Sequence, residues 1–402
     1  MHALVLGGAG ECGRHLVTAL VGAPEIDRVT LVDADGDAGR SLVAQLNAPS
    51  VDVVELDISD SDALVEQAAA SDCLVNCTPF PLFDGVIAAA IKARVHYVDL
   101  ISEPIEEQRQ RARNAGIVAI SGLGMSPGTT NVLCAHAAAE FDLLRECYIN
   151  FASFRTIAPS PGLLDTILWE LSDDCPTRHV YHDGRWDWRP SLEGSHLVTF
   201  PGPVGPQRVY VMPHTETNTL PVSFPELRHV AVRGTWNPEL MQDVAVLNKY
   251  GLLDDVPLGD GGLTSFEATK SRIWQKLGGQ RDSFPDWSSF TMIEVLGERD
   301  GEPVRREYHL SHARWGTQAV GKMAGVHAAV GVRLLARHGT GPGVGFVDPE
   351  RYFDPHEYVP EIQRIPDVHL SWNDTALPAG RRARTIDRDN QEAPDGKAVH
   401  RR

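Results

Sequence analysis

Ala3-Leu4-Val5-Leu6-Gly7-Gly8-Ala9-Gly10-Glu11-Cys12-Gly13, running straight into Arg14-His15-Leu16-Val17-Thr18-Ala19-Leu20, is the stretch whose reading decides the fold. Ala3–Leu6 is a short apolar strand, Cys12–Leu20 has the spacing of a helix, and between them Gly8-Ala9-Gly10-Glu11-Cys12-Gly13 fits G-x-G-x-x-G. In that pattern the first glycine permits a tight turn, the second lets a pyrophosphate approach the backbone, and the third lets helix pack on strand. The free N–H groups and dipole at the helix start favour the phosphates. Glycines alone are a weak signal, but glycines between a strand and a helix are the mark of a dinucleotide-binding Rossmann unit.

Outward from the loop the same rhythm repeats. Strands are expected at Val29–Val32, Val51–Glu55, Cys73–Asn76, His96–Leu100 and Ile117–Ile120, with helices at Ala38–Leu46, Ser61–Ala69, Gly85–Ile91 and Ile105–Ala115. Such β-α alternation makes a doubly wound parallel sheet with both faces covered. Asp33 closes the second strand, 20 residues past Gly13, where a carboxylate bonds the adenosine ribose. A carboxylate there repels a 2′-phosphate, so NAD is expected in preference to NADP, although Arg40 stands close enough in sequence to meet a phosphate. Ligands lie beyond the carboxyl ends of parallel strands. That places Asp57 and Ile58 near the adenine and Asn76-Cys77-Thr78-Pro79 near the nicotinamide-side ribose, or else as cap and turn residues.

After Gly128 the rhythm changes. Thr130–Glu140 reads as a helix leading out of the first domain, followed by strands at Arg208–Met212, His229–Arg233, Phe290–Gly297 and Val304–Leu310 and helices at Met241–Tyr250 and Ser265–Leu277. The organisation expected is a Rossmann domain over 1–128 and an α+β catalytic domain over 129–315, then a C-terminal helix and extension over 316–373 and a disordered tail over 374–402. The helix Gly316–His338 is rich in Gly and Ala, which permits close packing back on the first domain. Trp186, Trp188 and Phe200 read as core rather than pocket.

Composition narrows the function. With 42 % hydrophobic and 23 % charged residues the chain is an ordinary globular protein, and its net charge of −17 gives neither nucleic acid nor an anionic membrane a basic face to bind. A small ligand remains compatible, because one arginine can hold a carboxylate on an acidic protein. The six cysteines form no CxxC pair, so neither a disulfide framework nor a metal site is expected. No apolar run approaches the roughly 20 residues of a spanning helix, and the expected compartment is the cytoplasm.

The sequence resembles the saccharopine dehydrogenase family, and within it the lysine 6-dehydrogenases. The likeness runs through the glycine loop, Asn76–Pro79, His96-Tyr97-Val98-Asp99-Leu100 and Gly122-Leu123-Gly124-Met125-Ser126-Pro127-Gly128. It continues through Pro213-His214-Thr215-Glu216-Thr217-Asn218-Thr219-Leu220, Phe224-Pro225-Glu226-Leu227, Arg233-Gly234, and Gly343-Val344 to Pro349-Glu350 and Phe353. The order of these short motifs carries more weight than any one of them. The resemblance implies a Rossmann domain, an α+β catalytic domain and a C-terminal helix packed across both, with chemistry at a carbon–nitrogen bond of an amino acid or amine. The paired Lys and Glu of the fungal saccharopine-forming enzymes have no counterpart here.

Oxidation of an amine needs the nitrogen lone pair free, hence a base or solvent to take the ammonium proton. Asp99, at the end of the fifth strand, is a candidate for holding the ammonium or for capping the next loop. His214 is a candidate proton carrier, since imidazole exchanges protons near neutral pH. Glu216 would orient the amine, Arg233 would clamp a carboxylate, and Arg155 is a weaker candidate for the same task. Gly124 and Pro127 belong to a loop expected to shape the cofactor pocket. The leading reading is oxidative deamination. The alternatives are a reductase of the saccharopine or carboxynorspermidine type, acting on an imine formed from amine and carbonyl, and a non-catalytic NAD sensor. A homodimer is the expected assembly.

Overall fold

The computed structural model describes residues 1–259, 262–280, 289–312 and 319–378. Six strands, β1 (His2–Leu6), β2 (Arg28–Asp33), β3 (Val51–Glu55), β4 (Cys73–Asn76), β5 (His96–Asp99) and β6 (Val118–Ile120), pair in parallel in the order 3-2-1-4-5-6. Alternate residues of one strand enter different cores. Ala3 and Val5 pack on one side of the sheet, Leu4 and Leu6 on the other, which is why the strands read as unbroken apolar runs. Helices α1 (Gly13–Leu20), α2 (Gly36–Leu46), α3 (Ser61–Ala69), α4 (Phe83–Ala93) and α5 (Glu106–Ala115) connect them. Asp35 and Asp60 accept the Ala38 and Ala63 N–H groups at 2.9 and 3.1 Å and so start α2 and α3.

The helix α6 (Thr129–Ala138) leads to a second sheet built on the 11-residue strand β7 (Leu143–Ser153). Its other strands are β8 (His179–His182), β9 (Arg185–Trp188), β10 (His196–Phe200), β11 (Gly205–Val211), β12 (His229–Thr235), β13 (Ser289–Arg299) and β14 (Glu302–Ser311). β7 runs parallel to β12 and antiparallel to β13, so the sheet is mixed. Helices α7 (Pro161–Leu171), α8 (Glu216–Ser223), α9 (Pro238–Lys249) and α10 (Ser265–Leu277) belong to the same half. Trp186 and Trp188 do not enter the core. They are 47 and 46 % exposed on β9, which pairs only with β8 at the sheet margin, whereas Phe200 is buried as expected.

The C-terminal part binds both halves. α11 (Ala319–His338) packs on α1 so closely that a Cβ on Gly321 would lie 2.7 Å from the Glu11 carbonyl oxygen, and one on Gly325 2.4 Å from that of Cys12. Small residues are therefore obligatory on that face. β15 (Gly345–Phe346) then adds to β6, α12 (Pro349–Tyr352) and α13 (Pro355–Gln363) follow, and β16 (His369–Ala376) pairs with β14 in the second sheet. A tail beginning at residue 374 is thus corrected. Asp374 lies inside β16 and accepts from the buried Arg306 at 2.7 and 2.8 Å, its polar sequence reflecting an edge strand with one side in water. Residues 379–402, the remainder of that expected tail, and 316–318 of the expected helix lie outside the described residues. All six cysteines are free thiols, and no described helix is long and apolar enough to cross a membrane.

A buried polar chain ties α11 to the interdomain loop. His312 and His327 meet Nε2 to Nε2 at 2.9 Å, His327 Nδ1 lies 2.8 Å from Thr129 Oγ1, and Tyr358 Oη reaches the same oxygen at 2.9 Å. Thr129 in turn donates to the Gly124 carbonyl at 3.2 Å. The chain is satisfied with both imidazoles neutral. Burial pushes His327 from its ordinary 6.5 down to about 3, and burial, with His327 and Lys322 adding to it, also lowers His312. Below pH 6.5 the unfolded chain takes up protons that the folded chain refuses, so stability falls as pH falls towards 3. Urea unfolding between pH 6.5 and 5 should show a loss approaching ~1.4 kcal/mol per pH unit for each such proton. His327→Gln should flatten that slope; an unchanged slope would show that the pair does not titrate this way.

Candidate functional site

Construction starts at the glycine loop. β1 ends at Leu6, and the left-handed turn falls on Gly7 (φ +68°) rather than on Gly8, a correction to the first glycine's assigned role. The Gly7 N–H bonds the Val32 carbonyl at 2.9 Å, and a Cβ there would lie 2.8 Å from the Cys77 carbonyl oxygen. A Cβ on Gly8 would strike Leu31, and one on Gly13 would sit 2.2 Å from the Gly7 carbonyl oxygen, so strand and helix touch as the spacing requires. A Cβ on Gly10 would meet only that carbonyl, at 3.1 Å, leaving its outer side open. No side chain caps the α1 start at Cys12. The loop therefore offers a cradle of small residues leading into a helix start that no side chain caps, which fits a dinucleotide pyrophosphate.

The remaining cofactor candidates surround this cradle. Asp33 accepts the Ala9 N–H at 2.9 Å and the Asp35 N–H at 3.1 Å, so it fixes the loop and keeps lone pairs for a ribose. Arg40 is engaged by Asp37 at 2.6 Å and Glu55 at 3.3 Å. Asp57 is exposed and accepts the Ser59 N–H at 3.0 Å, which lowers its carboxyl, while Ile58 packs against the neighbouring apolar cluster. Asn76 is buried and turns the chain by accepting the Thr78 N–H and hydroxyl at 3.1 and 2.6 Å, and the Cys77 N–H holds the turn on Leu6 at 3.0 Å. Burial pushes the Cys12 thiol up to about 12 and raises that of Cys77 well above its ordinary value, so neither is a reactive thiolate. Gly124 and Pro127 form the expected loop, the Gly124 N–H bonding the Pro127 carbonyl at 2.8 Å, with Gly128 at φ +115°.

Beyond these strand ends a cavity of about 120 Å³ lies between the two sheets. Gly124, Met125 and Ser126 face it from the interdomain loop, Phe151, Ser153 and Trp236 from the second sheet, and Met323 and Ala324 from α11. Among the described residues, three ionisable side chains line it: Arg155, Glu170 and His214. His214 stands in the loop between β11 and α8, its ring stacked on Phe151 at a centroid distance of 5.5 Å. Its Nε2 lies 3.9 Å from Glu170 Oε1, and its Nδ1 lies 3.0 Å from Ser126 Oγ. The Ser126 hydroxyl donates to Glu216 Oε1 at 2.6 Å, and Thr130 donates to the same oxygen at 2.7 Å. With that hydroxyl proton committed to Glu216, Ser126 accepts from His214 Nδ1–H, which leaves the Nε2 lone pair facing the cavity.

Burial favours the protonated form of Glu170, raising its carboxyl although His214, Arg155 and Arg178 oppose the shift. Burial likewise lowers Arg155 from 12.5 to about 10, so its guanidinium keeps its charge at neutral pH. It donates to the carbonyl of Leu163 at 2.7 Å and lies near both Cys12 and Glu170, between glycine loop and cavity.

Two of the sequence candidates are corrected. Asp99 does not reach the cavity; its carboxylate is fully used by the N–H groups of Ile101, Ser102 and Gly122 and the hydroxyls of Ser102 and Ser121, so it organises the β5 loop. Arg233 lies opposite Asn150, one residue out of phase with Phe151, and strand alternation sends it to the far face of the sheet. There it lines a separate cavity with Met292 and Glu294 and sits over the Tyr148 ring at 5.5 Å. Glu216 is completely buried and supports the site through Ser126 rather than facing it. Glu170 and Ser126 were not among the expected residues. The signal for Glu170 is an acid four residues after Thr166 and three after Ile167, on the helix face that packs inward. Ser126, in a loop, has no such signal.

Comparison with known proteins agrees with this architecture. Residues 3–120 match the family model of the saccharopine dehydrogenase NADP binding domain. Across the chain, the sequence is 22 % identical over 394 residues to the carboxyaminopropylagmatine dehydrogenase of Synechocystis sp., covering 92 % of this chain and 95 % of that one. The fold is similar to apo saccharopine dehydrogenase (L-Glu forming) from Saccharomyces cerevisiae, with a TM-score of 0.64 at 14 % identity over 93 % of this chain and 100 % of that one. It is also similar to the homospermidine synthase of Legionella pneumophila in complex with NAD, with a TM-score of 0.56 at 14 % identity, covering 93 and 91 % of the two chains.

Proposed function

The chain belongs to the saccharopine dehydrogenase family, and from that premise we propose that it is a nicotinamide-dependent oxidoreductase acting on a carbon–nitrogen bond of an amine or amino acid. The observation that carries the reading is the cavity beside the dinucleotide loop where a histidine, a buried carboxyl and a buried guanidinium converge. A bound nicotinamide ring supplies the two-electron acceptor or donor of hydride. Gly10 and the start of α1 would hold its pyrophosphate, and Asp33 its ribose.

The protein's own groups do the rest. His214 Nε2 takes the proton of the substrate ammonium, freeing the lone pair that must become the carbon–nitrogen π bond. The imidazolium so formed faces Glu170 at 3.9 Å and Glu216 at 3.8 Å, and Ser126 keeps Nδ1 in place. Glu170 is the second group in the cavity able to carry a proton. Arg155 takes over the carboxylate clamp assigned to Arg233. In the reverse direction the same groups protonate the nitrogen of a reduced imine.

The test is turnover followed by nicotinamide absorbance, with L-lysine, other amino acids, diamines and secondary amines as donors, and amine plus oxo acid with the reduced cofactor. Reaction with any amine supports the proposal; tight dinucleotide binding with no reaction in either direction would leave a binding protein instead. Asp33 supports NAD over NADP, by repulsion of the 2′-phosphate and by the ribose bond it offers. Asp33→Ser should narrow the NAD/NADP ratio of kcat/KM about 10–100-fold; an unchanged ratio would remove Asp33 from cofactor choice.

A further inference from the structure

Next to the reaction cavity lies a larger one, of about 300 Å³. Thr166 of α7 lines both, so a single side chain stands between the two spaces. The reaction cavity alone is below the roughly 300–1,000 Å³ usual for a small-molecule site, whereas the outer space reaches the lower end of that range. The outer space has aromatic walls. Phe80, in the turn after β4, is 53 % exposed and stacks on Trp169 with ring centroids 5.6 Å apart, and Phe266 of α10 lies across from them. Its charge is one-sided. Asp165 is paired with Lys270 at 2.8 Å, and among the described residues lining the space no second cation faces Asp174, Asp255 and Glu267. Asp174 accepts the Asp255 N–H at 2.8 Å and Glu267 the Thr264 N–H at 3.2 Å, bonds that fix these carboxylates without cancelling their charge.

We infer that the outer cavity is a substrate vestibule for a cationic arm: the substrate's non-reacting end is an ammonium or guanidinium on an aliphatic chain, seated between the Phe80–Trp169 pair and the Asp174–Asp255 side while the reacting C–N bond lies at His214. Ring faces attract a cation, and three uncompensated carboxylates add to that attraction. A carboxylate-ended arm would meet like charge there. The inference rests on the amine oxidoreductase reading and narrows its substrate class.

The experiment is calorimetric binding to the full chain saturated with NAD, using putrescine, agmatine, butylamine and γ-aminobutyrate as probes, together with turnover of each. Putrescine and agmatine should bind about tenfold or more tightly than butylamine, with γ-aminobutyrate weakest. In the double variant Asp174→Asn/Asp255→Asn that preference should fall towards parity while butylamine is unaffected. Both residues are exposed and Asn keeps an acceptor for the Asp255 N–H, so the thermal midpoint should not move. Trp169→Leu should weaken the two cationic probes and leave butylamine unchanged. Equal binding of charged and uncharged arms, a preference for γ-aminobutyrate, or a preference untouched by the variants would overturn the vestibule and leave the amine reading standing. Absence of binding and turnover with every amine would overturn the amine reading, and the vestibule with it.

Discussion

His214→Gln should lower kcat by about 10²–10⁴-fold, the usual contribution of a positioned acid or base. Glutamine fills much of the imidazole's space and its amide still reaches Ser126, so KM and the thermal midpoint should change little. The loss should shrink as pH rises, because solvent then deprotonates the amine and the protein base matters less. Ser126→Ala should cost less, since it removes only the group that fixes which ring nitrogen carries the proton, and Ser126→Thr should restore most of the activity. The pH–rate profile of the three proteins checks this. If His214→Gln retains wild-type kcat across the profile, the proton passes elsewhere, and Glu170 is the remaining ionisable group on the reacting side with a raised carboxyl.

The second large effect separates two glycines three residues apart. Gly13→Ala places a Cβ 2.2 Å from the Gly7 carbonyl oxygen and 2.7 Å from the Gly8 Cα, both backbone atoms, so the loop itself must move. Overpacking of this kind costs about 1–3 kcal/mol and lowers the thermal midpoint with or without cofactor. Gly10→Val meets only the Gly7 carbonyl at 3.1 Å and points to the open side of the loop. It should leave the free protein nearly as stable while weakening dinucleotide binding about 100-fold or more, the loss expected when one close backbone approach and its charged hydrogen bonds are removed. Thermal unfolding with and without NAD distinguishes the two: Gly13→Ala lowers both curves, and Gly10→Val removes only the shift that NAD produces. The same stability loss in both variants would mean that Gly10 is a packing residue.

The first half of the chain is legible because its strands are buried on both faces and two of its helices, α2 and α3, carry their side-chain caps in sequence. β3, β4 and α3 fall at Val51–Glu55, Cys73–Asn76 and Ser61–Ala69, the residues expected. The second half hides its central strand. β7 interrupts its apolar run with Arg145, Glu146 and Asn150; Arg145 is paired with Glu298 of β13, and Glu146 accepts from Tyr148 of its own strand. The site suffers for the same reason. Arg155 and Glu170 become functional only when α7, starting inside the Pro-Ser-Pro-Gly stretch Pro159–Gly162, folds against the interdomain loop. His214 and Glu216 are visible by residue type, yet their different roles depend on Ser126, distant by 88 and 90 residues. Arg233 illustrates the converse, because a register one residue out of phase with Phe151 decides on which face of a buried sheet it stands.

Hydride transfer from a carbon bearing nitrogen can be followed through the hydrogen itself. The best amine substrate, deuterated at that carbon, is incubated with the protein and NAD, and the reduced cofactor is examined by mass spectrometry. One deuterium per reduced nicotinamide is expected, with a slower deuterated reaction if the transfer limits the rate. Reduced cofactor without deuterium, or none formed with any amine while NAD is bound, would contradict it.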